Sequence, residues 1–180
     1  MTAAPLSAED WLDLALTELK TQGYGALRAQ PLAQKLGVTR GSFYHHFESL
    51  ADFHAAIIAH WSQRSSGQVI RSAKEEPDPV TALAQLLQTT LRSGEGLERA
   101  VRSWATVAPG VAQAVAAIDA ERIDVVKAIL RRGGLDKADA AARAKLLYWA
   151  AIGRLMLPFP DQNVLTNAEI SSLSALMWRD

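Results

Sequence analysis

Apolar positions along this chain recur mostly at intervals of three and four residues and seldom at two, which predicts helices almost throughout. Ser7 with Asp10 makes a capping pattern ahead of Trp11, Leu12, Ala15, Leu16 and Leu19, an amphipathic stripe that Gly23 ends. Pro31 stands near the start of a second helix, where a missing N–H does little harm. Gly37 stops that helix, and a third covers residues 39–46. Ser49 with Asp52 caps a fourth, whose Leu50, Phe53, Ile57 and Trp61 are spaced three, four and four apart. Its pattern weakens after Ser65-Ser66-Gly67, and the acidic, proline-rich segment 75–79 is a clear break. A domain boundary is expected in this region, although a long fourth helix could run through Gly67.

The second half continues in the same period. Helices are expected over 80–92, 97–107, 109–132, 136–157 and 167–178, separated by a Ser93-Gly94-Glu95-Gly96 break, by Gly133-Gly134, and by Pro158 and Pro160. About nine helices and no convincing strand result, with no repeat of solenoid length. The expected fold is all-α: residues 1–66 as a small helical domain, and 67–180 as a second, helical-bundle domain.

Within this pattern the stretch LAQKLGVTRGSFYHHF, residues 32–47, carries the most chemistry. Ala33, Gly37 and Phe43 lie four and then six residues apart, where a helix-turn-helix needs a small helix contact, a tight turn and a buried anchor. Leu32, Leu36, Val38, Phe43 and Phe47 supply the apolar faces of the crossing. The second of the two helices then exposes Thr39, Arg40, Ser42, Tyr44 and His45, all able to hydrogen-bond phosphates or base edges. The plainer alternative is a helical hairpin with surface Tyr and His; spacing and exposed chemistry together favour DNA.

Charge refines this picture. The 180 residues are 49% hydrophobic with a formal net charge of zero, so no global basic field drives unspecific binding. Arg28, Lys35 and Arg40 nevertheless share a stretch, 28–47, that contains no acidic residue. Such a patch suits phosphate positioning but not strong binding by one copy, which points to a dimer. Cysteine is absent, removing disulfides and thiolate chemistry. No apolar run approaches the roughly 18 residues of a membrane span, and the N-terminus is acidic where a secretory signal would be basic. A cytoplasmic protein without membrane contact is expected.

The segment GYGALRAQPLAQKLGVTRGSFYHHFESLADF resembles the N-terminal DNA-binding domain of the tetracycline-repressor (TetR) family of bacterial transcription regulators. The similar part spans about residues 11–61, and the remainder matches only in its all-helical layout. The resemblance implies a homodimer on a palindromic operator, acting as a repressor that a small molecule releases, with residues 1–66 as the helix-turn-helix DNA-binding domain and 67–180 as the ligand-binding and dimerisation domain. It implies that Thr39, Arg40 and Ser42 open the recognition helix, that Tyr44 and His45 take its usual phosphate and base contacts, and that Arg28 touches the backbone. One departure stands out: Leu50 occupies the place of a phosphate-holding lysine, between the acidic Glu48 and Asp52. Weaker anchoring there, or an altered start of the fourth helix, is expected.

The dimer has a sequence argument of its own. Ala144, Leu147, Ala151 and Leu155 form one stripe, with Ala150 and Gly153 as small surfaces, and the last helix adds Leu173 and Leu176. The alternative is that both stripes serve only the intramolecular core. For the unidentified effector, Arg102, Trp104, Tyr148 and Trp149 are candidate contacts, although aromatics at helical spacing are more often plain core. An enzyme is the rival class, resting on His45, His46, His54 and His60, but their spacing fits no metal or acid-base motif, so no catalytic residue, metal or cofactor is expected. A third reading is an adaptor or ligand-binding protein whose operator binding has weakened, to which Leu50 gives some weight.

Overall fold

A computed structural model describes residues 6–92, 96–159, 162 and 164–179, the side chains of 65, 66, 68 and 69 excepted. Among these residues the chain forms nine α-helices and one 3-10 turn: α1 (Ala8–Gln22), the turn (Tyr24–Ala26), α2 (Ala29–Lys35), α3 (Arg40–His46), α4 (Leu50–Glu75), α5 (Pro79–Arg92), α6 (Gly96–Ala105), α7 (Pro109–Arg132), α8 (Lys137–Leu155) and α9 (Asn167–Leu176). The all-helical expectation therefore holds. The expected breaks at 93–95 and at Pro160 lie outside the described residues.

Helix ends follow the local chemistry. Ser7 and Asp10 form a full capping box on α1, and Thr166 and Glu169 form another on α9. Asp136 caps α8 by accepting from the Ala138 and Asp139 amides at 2.7 and 2.8 Å. At α4 the box is displaced: the Asp52 amide donates to Ser49 Oγ, while the Asp52 carboxylate accepts from the Glu48 amide. Of the courses left open after Ser65-Ser66-Gly67, the long fourth helix is the one formed: α4 runs through Gly67 to Glu75, where the expected 75–79 break begins. A helix already capped and buried along Phe53, Ile57 and Trp61 tolerates a short polar, glycine-containing stretch, at a cost of only about 1 kcal/mol for the glycine.

Four capping carboxylates carry a pH signature, those of Asp10, Asp136 and Glu169 and that of Asp78, which accepts from the Thr81 amide at the start of α5. Hydrogen bonds from Ser7 hold Asp10 below the ordinary carboxylate value, bonds from Thr81 do the same for Asp78, the Asp139 and Ala138 amides for Asp136, and Thr166 for Glu169. A depressed native value means that the unfolded chain takes up protons first. The stability these caps confer is complete above about pH 4–5 and lost as pH falls through the native values. Thermal unfolding between pH 7 and pH 3 is expected to show this loss, with a shallower acid slope in Asp136→Asn, which keeps a capping oxygen but cannot titrate; an unaltered slope contradicts it.

Contacts divide the chain into two units: Met1–Gln63 with Gly96–Val115, and Arg64–Glu95 with Ala116–Asp180. The core of the first holds Trp11, Leu19, Leu32, Ala33, Phe43, Phe53, Ile57 and Trp61, each at most 1% exposed. In the second, Leu83, Leu87, Val126, Ile129, Leu130, Ala140, Ala144 and Ile170 belong to one buried cluster. Here α9 packs on α5, where Arg92 donates to Asn167 at 2.9 Å, and the Arg143 guanidinium of α8 donates to the Met177 and Arg179 carbonyls. The stop at Gly133-Gly134 is a Schellman turn, with Gly134 at φ 100° and the Leu135 amide returning to the Leu130 carbonyl.

Candidate nucleic-acid interface

The turn between α2 and α3 is built on Gly37, whose φ of 69° lies in the left-handed region that favours glycine. The Gly37 amide returns to the Gln34 carbonyl and the Val38 amide to the Ala33 carbonyl, closing a Schellman motif that ends α2 within one residue. Ala33 is fully buried, as close helix packing at this point requires. Phe43 then fixes α3. Its ring meets Trp11 edge-on at 5.4 Å, Phe53 edge-on at 5.0 Å and Phe47 at 5.3 Å, and it has no exposure.

With Phe43 and Phe47 turned inward, helical geometry presents 40, 41, 44 and 45 on the opposite side. Arg28, Thr39, Arg40, Tyr44 and His45 are all exposed, and Ser42 is half-buried. Thr39 takes the N-cap position with extended backbone, but its side chain makes no capping bond. Arg28 takes the corresponding position ahead of α2. Four of the six candidate DNA contacts thus lie on α3, and the other two, Arg28 and Thr39, are the N-caps of α2 and α3.

The basic patch is smaller than the sequence suggests. Lys35 Nζ pairs at 2.6 Å with Glu18, an α1 carboxylate that is itself buried. Glu18 lies outside the acid-free stretch, on the buried side of α1 one residue before Leu19, and sequence reasoning missed the pair because its partners stand on different helices. The pair ties α2 to α1 and leaves Arg28 and Arg40 as the exposed arginines of the surface. Leu50 begins α4 and is 40% exposed.

Two of the four histidines that suggested an enzyme, His54 and His60, are employed in packing. His54 Nε2 donates to the Leu27 carbonyl at 3.1 Å while its ring stands edge-on to Trp104, and His60 pairs with Asp13 at 2.7 Å, joining α4 to α1.

A known protein family accounts for this arrangement. Residues 12–57 match the model of the N-terminal domain of bacterial regulatory proteins of the tetR family. This segment is similar to the TetR-type N-terminal domain. The TetR-family domain covers α1 to the first part of α4, and so includes the whole α2–turn–α3 unit. No curated protein matches the chain by sequence. Among solved structures, GusR of Salmonella enterica superposes with a TM-score of 0.75 at 18% identity, covering 94% of this chain and 92% of that one. A transcriptional regulator from a Rhodococcus species gives 0.71 at 18% identity, covering 96% of both chains. The TetR family transcriptional regulator PfmR of Thermus thermophilus gives 0.64 at 21%, covering 94% and 97%. At such identities the likeness extends the TetR-type fold over the whole chain. The fold is shared with these solved regulators, and no described helix is long and apolar enough to cross a membrane.

The remaining candidate residues fall as follows. On α6, Arg102 pairs with the buried Glu98 at 2.8 Å and Trp104 is buried against His54. On α8, Tyr148 donates to Asp119, and Trp149 is 63% exposed. Arg102 and Trp104 belong to the first unit, Tyr148 and Trp149 to the second. Ala144, Leu147 and Leu155 are buried within this one chain, and Ala151 and Leu173 are half-buried against the same cluster; Leu176 alone of the expected interface residues is exposed, at 52%. That α8 stripe therefore packs the bundle itself. The outward face of α8 carries Leu146, Trp149, Ala150 and Gly153 instead.

Proposed function

We propose that this protein is a transcriptional repressor that binds a palindromic operator as a homodimer and is released by a small-molecule ligand, with residues 1–66 reading DNA and 67–180 serving dimerisation and ligand binding. The observation that carries the reading is α3: a short helix anchored by fully buried Phe43 and presenting Arg40, Tyr44 and His45 outward. Arg28 and Ser42 flank that surface and suit phosphate oxygens, as does the Thr39 hydroxyl.

Dimerisation is supported by the outward face of α8. Leu146 is 58% and Trp149 63% exposed, next to the small Ala150 and Gly153, and the exposed Leu176 lies on α9. A contiguous apolar face of this kind marks an interaction surface, and a face repeated in every copy suits a two-fold contact. For the effector, the second unit offers an open groove of about 350 Å³ between α4 and α7, floored by Ala73, Val125, Ala128 and Ile129 and rimmed by Lys74, Glu121, Asp124 and Arg132.

Mobility shifts with DNA from upstream of the gene test the reading. A saturable, salt-sensitive complex is expected, weakened about tenfold or more by Arg40→Ala. The adaptor alternative is favoured by exposed Leu50 and by the engagement of Lys35 with Glu18. A folded dimer that prefers no genomic fragment decides for it.

A further inference from the structure

Arg40 is exposed, yet its guanidinium is held. Its Nη2 donates to the Tyr44 hydroxyl at 3.0 Å, and its Cζ lies 5.3 Å from the centroid of the Tyr44 ring. Tyr44 in turn stands edge-on to Phe43, with centroids 5.2 Å apart and planes at 84°. A continuous set of contacts thus runs from the core through Phe43 and Tyr44 to the one arginine in α3.

This arrangement has a chemical preference. A guanidinium has five N–H donors in a plane, and the Tyr44 hydroxyl occupies one of them. The donors left over suit a partner with two adjacent acceptors. In the major groove guanine alone offers that pair, N7 and O6, whereas adenine sets an acceptor beside a donor. Gly41 supplies an independent observation. A Cβ there would meet only Thr39 Oγ1, at an ordinary 3.5 Å, so the fold has no steric need for glycine in a helix that alanine would favour. Bare backbone beside Arg40 suits a close approach to base edges.

We propose that Arg40 is the specificity-determining residue that reads a guanine in the DNA target, that Tyr44 positions its guanidinium, and that Gly41 leaves room for the approach. This rests on the DNA-reading function above. Ordering the arginine in advance reduces the side-chain freedom lost on binding, so the Tyr44 contact sharpens discrimination between bases.

The test uses the full chain and a random-sequence duplex library, followed by titration of the enriched duplex. Wild-type protein is expected to enrich a motif containing a guanine whose replacement by adenine or 7-deazaguanine weakens binding about tenfold to a hundredfold. Arg40→Gln should recover the same motif without that guanine. Tyr44→Phe, which keeps the ring, should reduce the guanine-over-adenine ratio several-fold at an unchanged melting temperature, a change that a merely structural role would not produce. Retention of every guanine by Arg40→Gln overturns the assignment, and an unchanged ratio in Tyr44→Phe overturns the positioning role. A wild-type protein that enriches no motif overturns the DNA-reading function itself, an outcome distinct from either.

Discussion

Phe43→Ala is expected to destabilise the N-terminal unit by about 3–5 kcal/mol, the range for truncating a fully buried aromatic. The ring has no exposure and meets Trp11, Phe47 and Phe53 within 5.4 Å, so its removal opens a cavity that three other large rings must collapse to fill. Small domains are marginally stable, and a loss of this size unfolds a large share of molecules. Phe43→Leu keeps most of the volume and is expected to cost less than about 1.5 kcal/mol. Because Trp11 and Trp61 lie in the same core, denaturant unfolding followed by tryptophan fluorescence reads both variants. A loss below about 1 kcal/mol for Phe43→Ala contradicts the central place given to this ring. DNA binding should fall in step with the folded fraction, since α3 has no other deeply buried anchor among its own seven residues.

Trp149→Asp is expected to convert the proposed dimer into a folded monomer of 19.5 kDa, read by light scattering or sedimentation. It places a charge at the most exposed large apolar position of α8, where a second copy would have to desolvate it. Specific DNA affinity is expected to fall by about a thousandfold or more, because one copy retains only the contacts of a single half-site. Leu147→Ala, two residues away, separates the two faces of the helix. Leu147 is 5% exposed within the chain's own core, so its truncation should cost about 2–5 kcal/mol of stability and leave the mass of the folded species unchanged. A Trp149→Asp protein that remains a dimer removes this face from the interface.

How far the sequence was legible depended on whether the deciding physics was local. Ser7, Asp10, Gly37 and Gly133-Gly134 act within four or five residues, and the helix ends they announce are present. Phe43 and Ala33 were legible as the anchor and the contact of the turn because a helix-turn-helix admits little else at that spacing. The two faces of α8 were not. Periodicity shows that Ala144 and Leu147 share one side and Leu146 and Trp149 another, but both sides are apolar, and only the packing of α8 within the bundle decides which is covered. Partners distant in sequence were equally hidden: the Glu18–Lys35 pair and the contacts of His54 with Leu27 and Trp104 join different helices, and no residue spacing encodes them. The run of α4 through Gly67 shows a third cause, burial on both sides of a weak stretch overriding local propensity.

Sequence-specific operator binding is tested most directly by presenting the full chain with sheared DNA of its own genome at about 0.15 M salt, with excess unspecific competitor, and sequencing what it retains. A few fragments that share an inverted repeat with half-site centres about 10 base pairs apart, or a multiple of that, should be enriched, and Arg40→Ala should abolish the enrichment. Uniform recovery of the genome by a folded, dimeric protein would contradict such binding.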